Sequence, residues 1–368
     1  MSLREKSLFM AMELSNKKWK LTFGDGSQER ERTIGARDEE ALLREVVAAR
    51  NKLGLPVDCA VVFCYEAGRD GFWIDRMLRK NGFQNYVMDP ASIEVPRLAR
   101  KRKTDRLDGK KLLKLLLRRE LWGELGAFSV VRIPNEEQEA VMRIDRERDR
   151  LVTERTGHRS RMKSLSVLHG VVIGNPARVD IDKLRDWEGK RLSGLLVEEL
   201  KREQKRLHLL EEQIKSIEKQ QETAFAKPKT AAEQKACKLF TLKAVGTQSS
   251  WLLSHECFAW RVFPNRKHLG SFFGLTGTPF DSGETLREQG ISKAGSGRLR
   301  TAMIELAWNW VRWQPNSILT NWFIDRYVRG GTSRSKRKGI VALARKLLIA
   351  LWKYVEQDIM PEGAVLRA

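Results

Sequence analysis

The order of short apolar runs and helical stretches at the start of the chain restricts the possible folds more than any other feature. SLFMAMEL, KWKLTFG and QERERTIG follow one another closely, and CAVVFCYE and NYVMDP come later, each after a stretch with helical spacing. Runs of this length, separated by turn residues, predict strands. The sequence therefore predicts three consecutive strands, a helix over 38–52, a central strand, a helix ending at Gly82, a fifth strand and a helix within 97–119.

Beyond residue 128 the pattern changes to long, charged helices. Hydrophobic residues recur every seven positions there, with mostly charged or amide side chains between them, and these residues are Leu200, Leu207, Ile214, Leu210 and Ile217. This pattern predicts a short antiparallel or dimeric coiled-coil arm. PKTAAEQ, around Pro228, is interpreted as a linker to a mostly helical C-terminal region that holds seven of the eleven tryptophans.

The 368 residues are enough for two or three hydrophobic cores. We predict an α/β domain over 1–128, a helical arm and linker over 129–228, and a mostly α domain over 229–368.

The charge of the chain favours a polyanionic partner. There are 69 Lys and Arg against 47 Asp and Glu, a formal net charge of +22. Such an excess attracts nucleic acid over long distances. An anionic membrane surface is the competing partner, but it predicts an amphipathic basic helix or a lipidation signal at a terminus, and the sequence shows neither.

Targeting and cysteine patterns indicate a cytoplasmic protein. No apolar run approaches the roughly 18 residues of a membrane span, and MSLREKSLFMAMELS lacks the features of a secretory signal. Cys59, Cys64, Cys237 and Cys257 have no paired CxxC spacing, which favours reduced, mostly buried thiols over a zinc site or disulfides.

Four acids are candidate ligands for a divalent cation. Glu13 and Glu66 stand near the ends of predicted strands, and Asp105 and Asp108 are three residues apart on one face of a predicted helix. If the strands are parallel neighbours, the four carboxylates can surround one or two Mg²⁺ ions, which prefer oxygen ligands. The alternative is that the two aspartates pair with nearby basic residues and the two glutamates are exposed strand ends.

A segment rich in Gly, Ser and Thr, GLTGTPFDSGETLREQGISKAGSGRLR, lies between strongly helical stretches at 274–300. We expect an ordered loop or turn there. Ser282 precedes a glycine that leaves room for a phosphate, so it is a candidate nucleophile, activated by a base or metal from elsewhere. The alternative for Ser282 is a turn or N-cap serine.

Taken together, these segments resemble the DEDD-type insertion-sequence transposases, also called bridge recombinases. The resemblance runs from about residue 7 to about 358. Its most specific parts are YEAG with Glu66, KTDRLD with Asp105 and Asp108, GLTGTPFDSGE with Ser282, GISKAG, and VALARKLLIALWKY. Where the family usually has Asp in the first-strand motif, this chain has Glu13, whose extra methylene moves the carboxylate by roughly an ångström.

The resemblance implies an RNase H-like (RuvC-like) N-terminal domain, as in Holliday-junction resolvases, and a C-terminal serine transposase domain. It further implies that Glu66, Asp105 and Asp108 bind Mg²⁺ and that Ser282 attacks DNA to give a phosphoserine link. The partners implied are donor and target DNA, a structured noncoding guide RNA, and further copies of the chain in dimers that join into tetramers.

Basic side chains beside these motifs are candidate phosphate contacts. Some of them lie at a helix start after Lys293, and others lie in a basic loop over 330–339. They are Arg100, Lys101, Arg102, Lys103, Arg106, Lys293, Arg298, Arg300, Arg334, Lys336, Arg337 and Lys338.

Two weaker signals lie in the C-terminal region. LKAVG, at 242–246, resembles a degenerate helix-hairpin-helix turn that contacts phosphate, with a packing turn as the alternative. Trp308, Trp310 and Trp313 either stack on bases or, as their helical spacing favours, belong to the core.

Three functions fit the sequence: an RNA-guided Mg²⁺-dependent serine recombinase, a structure-selective nuclease that uses the carboxylates alone, and a non-catalytic nucleic-acid-binding derivative of a transposase.

Overall fold

The computed structural model describes residues 7–68, 71–93, 108–282, 285–291 and 295–367. The chain divides into two compact units, Met1–Pro134 and Asn135–Ala368, named below the sheet unit and the helical unit. Among the described residues, no helix combines the length and apolar character that crossing a membrane requires.

In the described part of the sheet unit, five strands form one mixed sheet in the order β3-β2-β1-β4-β5. β1 is antiparallel to β2, and β2 to β3, whereas β1, β4 and β5 run parallel. The strands are β1 Leu8–Leu14, β2 Lys18–Gly24, β3 Glu29–Gly35, β4 Val61–Glu66 and β5 Gln84–Met88. The helices are α1 Glu39–Lys52, α2 Trp73–Lys80 and α3 Asp108–Glu120.

Both faces of this sheet are covered. Successive strand residues point to opposite faces, so Met10 and Met12 of β1 join a cluster with α1 and α2, whereas Phe9 and Ala11 join a cluster with the leucines of α3. β4 is buried from Val61 to Tyr65, as its continuous apolar sequence predicts.

The predicted order of strands and helices in this unit is confirmed. The predicted helix N-terminus within 97–107 lies outside the described residues, and α3 is described from Asp108 onward. α1 begins where predicted because the Asp38 carboxylate accepts a hydrogen bond from the Ala41 N–H at 2.8 Å.

The helical unit contains two long helices followed by shorter ones around a small hairpin. Its helices are α4 Glu136–Val167, α5 Gly194–Ala226, α6 Ala231–Phe240, α7 Thr247–Leu253, α8 Arg266–Phe272, α9 Gly297–Trp313, α10 Ile318–Phe323 and α11 Ser333–Gln357. Its strands are β6 Gly277–Ser282 and β7 Thr285–Ile291, which pair antiparallel.

The two long helices α4 and α5 pack antiparallel. Arg148 on α4 pairs with Glu218 late in α5, whereas His158 and Arg161 farther along α4 pair with Glu203 early in α5. The residues of the heptad pattern are all buried, namely Leu200, Leu207, Leu210, Ile214 and Ile217. The apolar stripe thus lies against other parts of the same chain.

Three expected loops are shorter than predicted or have regular structure. Of PKTAAEQ, the last four residues begin α6, because Thr230 and Glu233 form a capping box. The segment expected as an ordered loop at 274–300 contains the β6–β7 hairpin and the first turn of α9. The basic stretch expected as a loop at 330–339 is mostly helical, since Thr332 caps α11 from Ser333 onward.

Candidate active site

Glu13 and Glu66 lie at the same edge of the sheet. In the parallel pair of β1 and β4, Met12 is the partner of Tyr65, so Glu13 and Glu66 are the next residues along two adjacent strands. Adjacent strands are about 4.8 Å apart. Both glutamates follow the alternation that places Ala11 and Cys64 on the α3 face, so they belong to that face too.

The start of α3 lies directly beside Glu13. The Gly109 N–H donates a hydrogen bond to Glu13 Oε1. A β-carbon on Gly109 would be 2.6 Å from Thr22 Oγ1 and 2.8 Å from Glu13 Oε1, so any larger residue would displace these two side chains. The backbone of Asp108, the preceding residue, therefore adjoins the Glu13 carboxylate.

The structure thus brings Glu13, Glu66 and the first residue of α3 to one place. The side chain of Asp108, and Asp105 altogether, lie outside the described residues, as do Arg100, Lys101, Arg102, Lys103 and Arg106. Among the described side chains, no group of three or more His, Cys, Asp or Glu is arranged to hold a metal ion.

Sequence reasoning missed the polar residues that surround Glu13 on this face. Lys20, the antiparallel partner of Glu13, forms an ion pair with Glu31 at 3.4 Å. Thr22 Oγ1 is buried and has no hydrogen-bond partner among the described atoms. The sequence of β2 could have revealed them, because Lys20, Thr22 and Gly24 lie on one face of the strand and polar residues on a covered face are unusual.

Ser282 ends the first strand of the hairpin in the helical unit. It is the last residue of β6 and pairs with Thr285, the first residue of β7. The base of this hairpin is closed by backbone contact, since a β-carbon on Gly295 would overlap backbone atoms of Ser271, Phe272 and Gly274. The Ser296 N–H also donates to the Phe272 carbonyl oxygen at 2.9 Å. The Ser282 side chain and Lys293 are outside the described set.

Comparison with known proteins assigns the chain to a family. A family model described as Transposase IS116/IS110/IS902 family matches residues 236–320. Putative transposase y4rJ of Sinorhizobium fredii (strain NBRC 101917 / NGR234) is 38% identical over 98% of this chain and 95% of its own length. The chain belongs to the IS116/IS110/IS902 family of transposases.

Two more distant relatives are also named as transposases. Putative transposase y4qE of the same strain is 28% identical over 69% of this chain and 60% of its own length. The transposase for insertion sequence element IS1328 of Yersinia enterocolitica is 27% identical over 47% of this chain and 50% of its own length. The protein is therefore an enzyme that cleaves and rejoins DNA.

The matched stretch of the transposase, 236–320, begins in α6 and ends in α10. It includes the hairpin that carries Ser282 and the start of α9.

Arg298, in the first turn of α9, is surrounded by carboxylates of the helical unit. Its Nε donates to Asp149 at 2.6 Å, its Nη1 to Glu256 at 2.9 Å, and its Nη2 to Asp145. Burial opposes its charge, but the carboxylates of Asp145 and Asp149 raise the pKa of Arg298. These bonds to Asp145 and Asp149 fix the start of α9 against α4, and the role of Arg298 as a phosphate contact stays a prediction.

The remaining basic candidates with described side chains are one half-buried arginine and four exposed residues. Arg300 is half-buried, and its Nη1 has no hydrogen-bond partner among the described atoms at the base of the hairpin. Four others are exposed in the first two turns of α11, namely Arg334, Lys336, Arg337 and Lys338. Cations at a helix N-terminus oppose the helix dipole, so these four side chains do not stabilise α11 in that way, and their role as phosphate contacts stays a prediction.

The three tryptophans of α9 have different environments. Trp310 is fully buried and its Nε1 donates to Ser317 Oγ at 2.9 Å, as expected for the core. Trp308 and Trp313 are 38% and 47% exposed. The core interpretation is therefore right for Trp310, whereas Trp308 and Trp313 have accessible ring surface.

Proposed function

We propose that this transposase is an RNA-guided, Mg²⁺-dependent serine recombinase that exchanges donor and target DNA through a phosphoserine link. The observation that supports it most is the meeting of Glu13, Glu66 and the Asp108 end of α3 at one edge of the sheet. The strand order, with β1 in the middle and β2 antiparallel, supports an RNase H-like assignment for the sheet unit.

The donor set at this edge suits Mg²⁺. Glu13 and Glu66 supply carboxylate oxygens, and Asp105 and Asp108 would complete the set, with no softer ligand among the four. When bound, Mg²⁺ would neutralise charge that develops on the phosphodiester oxygens. The Gly109 N–H holds one oxygen of Glu13, which fixes the direction of this carboxylate before any ion binds.

Ser282 is proposed to supply the nucleophile. Its Oγ attacks the phosphorus of a DNA phosphodiester, an Oγ–P bond forms, and the bond from phosphorus to the leaving deoxyribose oxygen breaks. The hydroxyl proton passes to a base, and the leaving oxygen takes up a proton. Rejoining reverses the exchange, because a deoxyribose hydroxyl attacks the phosphoserine and releases the serine.

The Ser282→Ala variant tests this role. We expect it to form no covalent protein–DNA adduct, as seen by denaturing electrophoresis of labelled DNA, while it binds DNA nearly as well as the wild type. Ser271→Ala, an exposed serine on α8, is the matched control and should form the adduct normally. DNA cleavage that survives the loss of Ser282 would instead support a nuclease that uses only the carboxylates.

The carboxylate site is tested by Glu66→Gln and Glu13→Asp. Loss of one ligand charge in Glu66→Gln should abolish Mg²⁺-dependent cleavage and adduct formation, whereas Glu13→Asp should keep both, because Asp is usual in the family this chain resembles. Glu40→Gln, on the exposed face of α1, is the control. Full cleavage by Glu66→Gln would exclude the metal site, and a wild type without any metal-dependent cleavage would favour a non-catalytic derivative.

Guide RNA and assembly are tested on the purified protein. We expect one structured RNA, encoded beside the gene, to co-purify with it, and removal of that RNA to abolish site-specific recombination. Mass photometry should show dimers that join into tetramers when DNA is added. Recombination at full rate by RNA-free monomers would contradict both proposals.

A further inference from the structure

A cavity of about 630 Å³ opens in the helical unit, away from the Ser282 hairpin in sequence. Its walls include the end of α5 with Glu218 and Glu222, the LKAVG turn with Lys243, the end of α9 with Trp313, and Arg367 near the C-terminus. Its size is within the range of about 300–1,000 Å³ that is usual for ligand pockets. It thus combines an aromatic ring, two cations and two carboxylates.

Trp313 gives this cavity an accessible aromatic surface. Its side chain is 47% exposed, whereas Trp310, one turn earlier on the same helix, is completely buried. Two cations lie near its ring, with Lys243 Nζ 5.9 Å and the Arg312 guanidinium carbon 5.2 Å from the ring centroid. An exposed indole flanked by cations is the combination that binds a stacked base together with its phosphate.

The cavity walls are fixed to one another by the fold. The buried Gln314 side chain donates through Nε2 to the carbonyl oxygens of Lys243 at 2.5 Å and Val365 at 2.8 Å. Its Oε1 accepts from the Val365 N–H at 2.7 Å. The LKAVG turn, the end of α9 and the C-terminal segment are therefore held together beside Trp313, so the site needs little ordering on binding.

The charges of the cavity would orient a nucleotide. Arg367 is held in place because its Nη2 donates to the Val245 carbonyl oxygen at 3.0 Å and its guanidinium lies 4.0 Å from the centre of the Phe240 ring. Glu218 and Glu222 on α5 repel phosphate, and Glu218 is already paired with Arg148. Phosphate is therefore favoured on the side of Lys243 and Arg367, and base amino groups can donate to the carboxylates.

We propose that this cavity binds one unpaired nucleotide of a single-stranded nucleic acid, with the base stacked on Trp313 and the phosphate held by Lys243 and Arg367. Stacking of a base on indole is stronger than an exposed contact between lysine and an aromatic ring. The base therefore displaces the Lys243 ammonium from the ring, and the ammonium moves to the phosphate. This inference is independent of Ser282 chemistry and of the carboxylate site.

Fluorescence anisotropy with the full-length protein tests the proposal. The probes are a labelled single-stranded DNA, the single-stranded RNA of the same sequence, and the matching DNA duplex. Trp313→Ala should weaken binding of single strands by about tenfold and leave duplex binding unchanged, because paired bases present no free face. Trp313→Phe should keep most of the affinity, and Trp187→Ala, whose ring is 77% exposed elsewhere in the unit, is the matched control.

Photocrosslinking locates the base. A single strand with one 5-bromouracil should crosslink to Trp313, as mapped by mass spectrometry, and Lys243→Gln should weaken binding less than Trp313→Ala does. A defect confined to RNA or to DNA would support the site and name its ligand. Wild-type affinity of Trp313→Ala for both single strands, an equal loss for the duplex, or crosslinks only at other residues would overturn the proposal.

Discussion

Ala244, in the LKAVG turn, has a φ angle of 98°, in the region that favours glycine. A β-carbon costs roughly 1–2 kcal/mol in such a conformation. We expect Ala244→Gly to raise the free energy of unfolding by about 1 kcal/mol, as measured by urea denaturation, since the strain is removed while Leu242 and Val245 stay buried.

The control for this prediction is the same substitution in a regular helix. Ala302→Gly, in the interior of α9, should lower the free energy of unfolding by about 1 kcal/mol. Destabilisation by Ala244→Gly as well would show that the turn is not strained.

His255 makes stability depend on pH. It is buried against Trp251, with ring centroids 4.0 Å apart, and its Nδ1 bonds the Trp251 carbonyl oxygen. Burial lowers the pKa of His255 below its ordinary value of 6.5, although Glu233 and Glu256 oppose this. The folded protein disfavours protonation of His255. The stability that comes from keeping this imidazole neutral is therefore complete above pH 6.5 and is lost as pH falls through the lower pKa of the folded state.

Denaturation between about pH 8 and pH 5 measures this effect. Wild type should lose more stability over that interval than His255→Gln, whereas His268→Gln, an exposed histidine on α8, should behave as wild type. An equal loss in wild type and His255→Gln would contradict the assignment.

The place of an individual site residue in the fold was predictable from the sequence where it depends only on the local hydrophobic pattern. Glu66 ends β4 and Glu13 is the next-to-last residue of β1, both near the ends of apolar runs, and parallel pairing makes them neighbours. The contact of Gly109 with Glu13 was not predictable, because it comes from the packing of α3 on β1 and β2, distant in sequence. The environments of Trp310 and Trp313 differ for the same reason, since helical spacing does not show which side of α9 is covered.

Among the elements, the five strands of the sheet and the heptad helix were predictable, and the two strands of the hairpin were not. β6 and β7 contain few apolar residues, so their Gly, Ser and Thr content predicted a loop. The start of α11 was predicted as a loop because its charges and glycines outweigh its periodicity, although Thr332 supplies a cap. A cap needs only one side chain, which composition does not reveal.

The base of the Ser282 hairpin depends on Gly295. A β-carbon there would overlap backbone atoms of three residues, which no rotamer change can relieve. We expect Gly295→Ala to lower the free energy of unfolding by about 1–3 kcal/mol and to reduce adduct formation, measured by urea denaturation and denaturing electrophoresis.

Gly297→Ala is the matched control, only two residues away. Its β-carbon would have Arg300 Nη2 at 3.5 Å as its nearest neighbour, and it stands in the first turn of α9. This change should leave stability unchanged or raise it by about 0.5–1 kcal/mol. Equal tolerance of both alanines would show that the base of the hairpin is not closed as described.

At the scale of the whole molecule, the structure divides into two compact units, whereas the sequence predicts three domains. The division into three stays a prediction. The sheet unit has its own core clusters on both faces of the sheet. Within the helical unit, contacts cross the predicted boundary at 228. Phe225 of α5 packs against Phe240 and Trp251, and Arg298 pairs with Asp145 and Asp149 of α4.

These contacts predict which fragments fold. Fragments 1–134 and 135–368 should each unfold cooperatively by circular dichroism, the second beginning at Asn135, which caps α4. Fragment 229–368 should be less stable, since Phe240 and Trp251 lose Phe225, and Arg298 loses Asp145 and Asp149, although Arg298 keeps its ion pair with Glu256. Equal stability of 229–368 and 135–368 would mean that the C-terminal region is an independent domain and that these ion pairs contribute little.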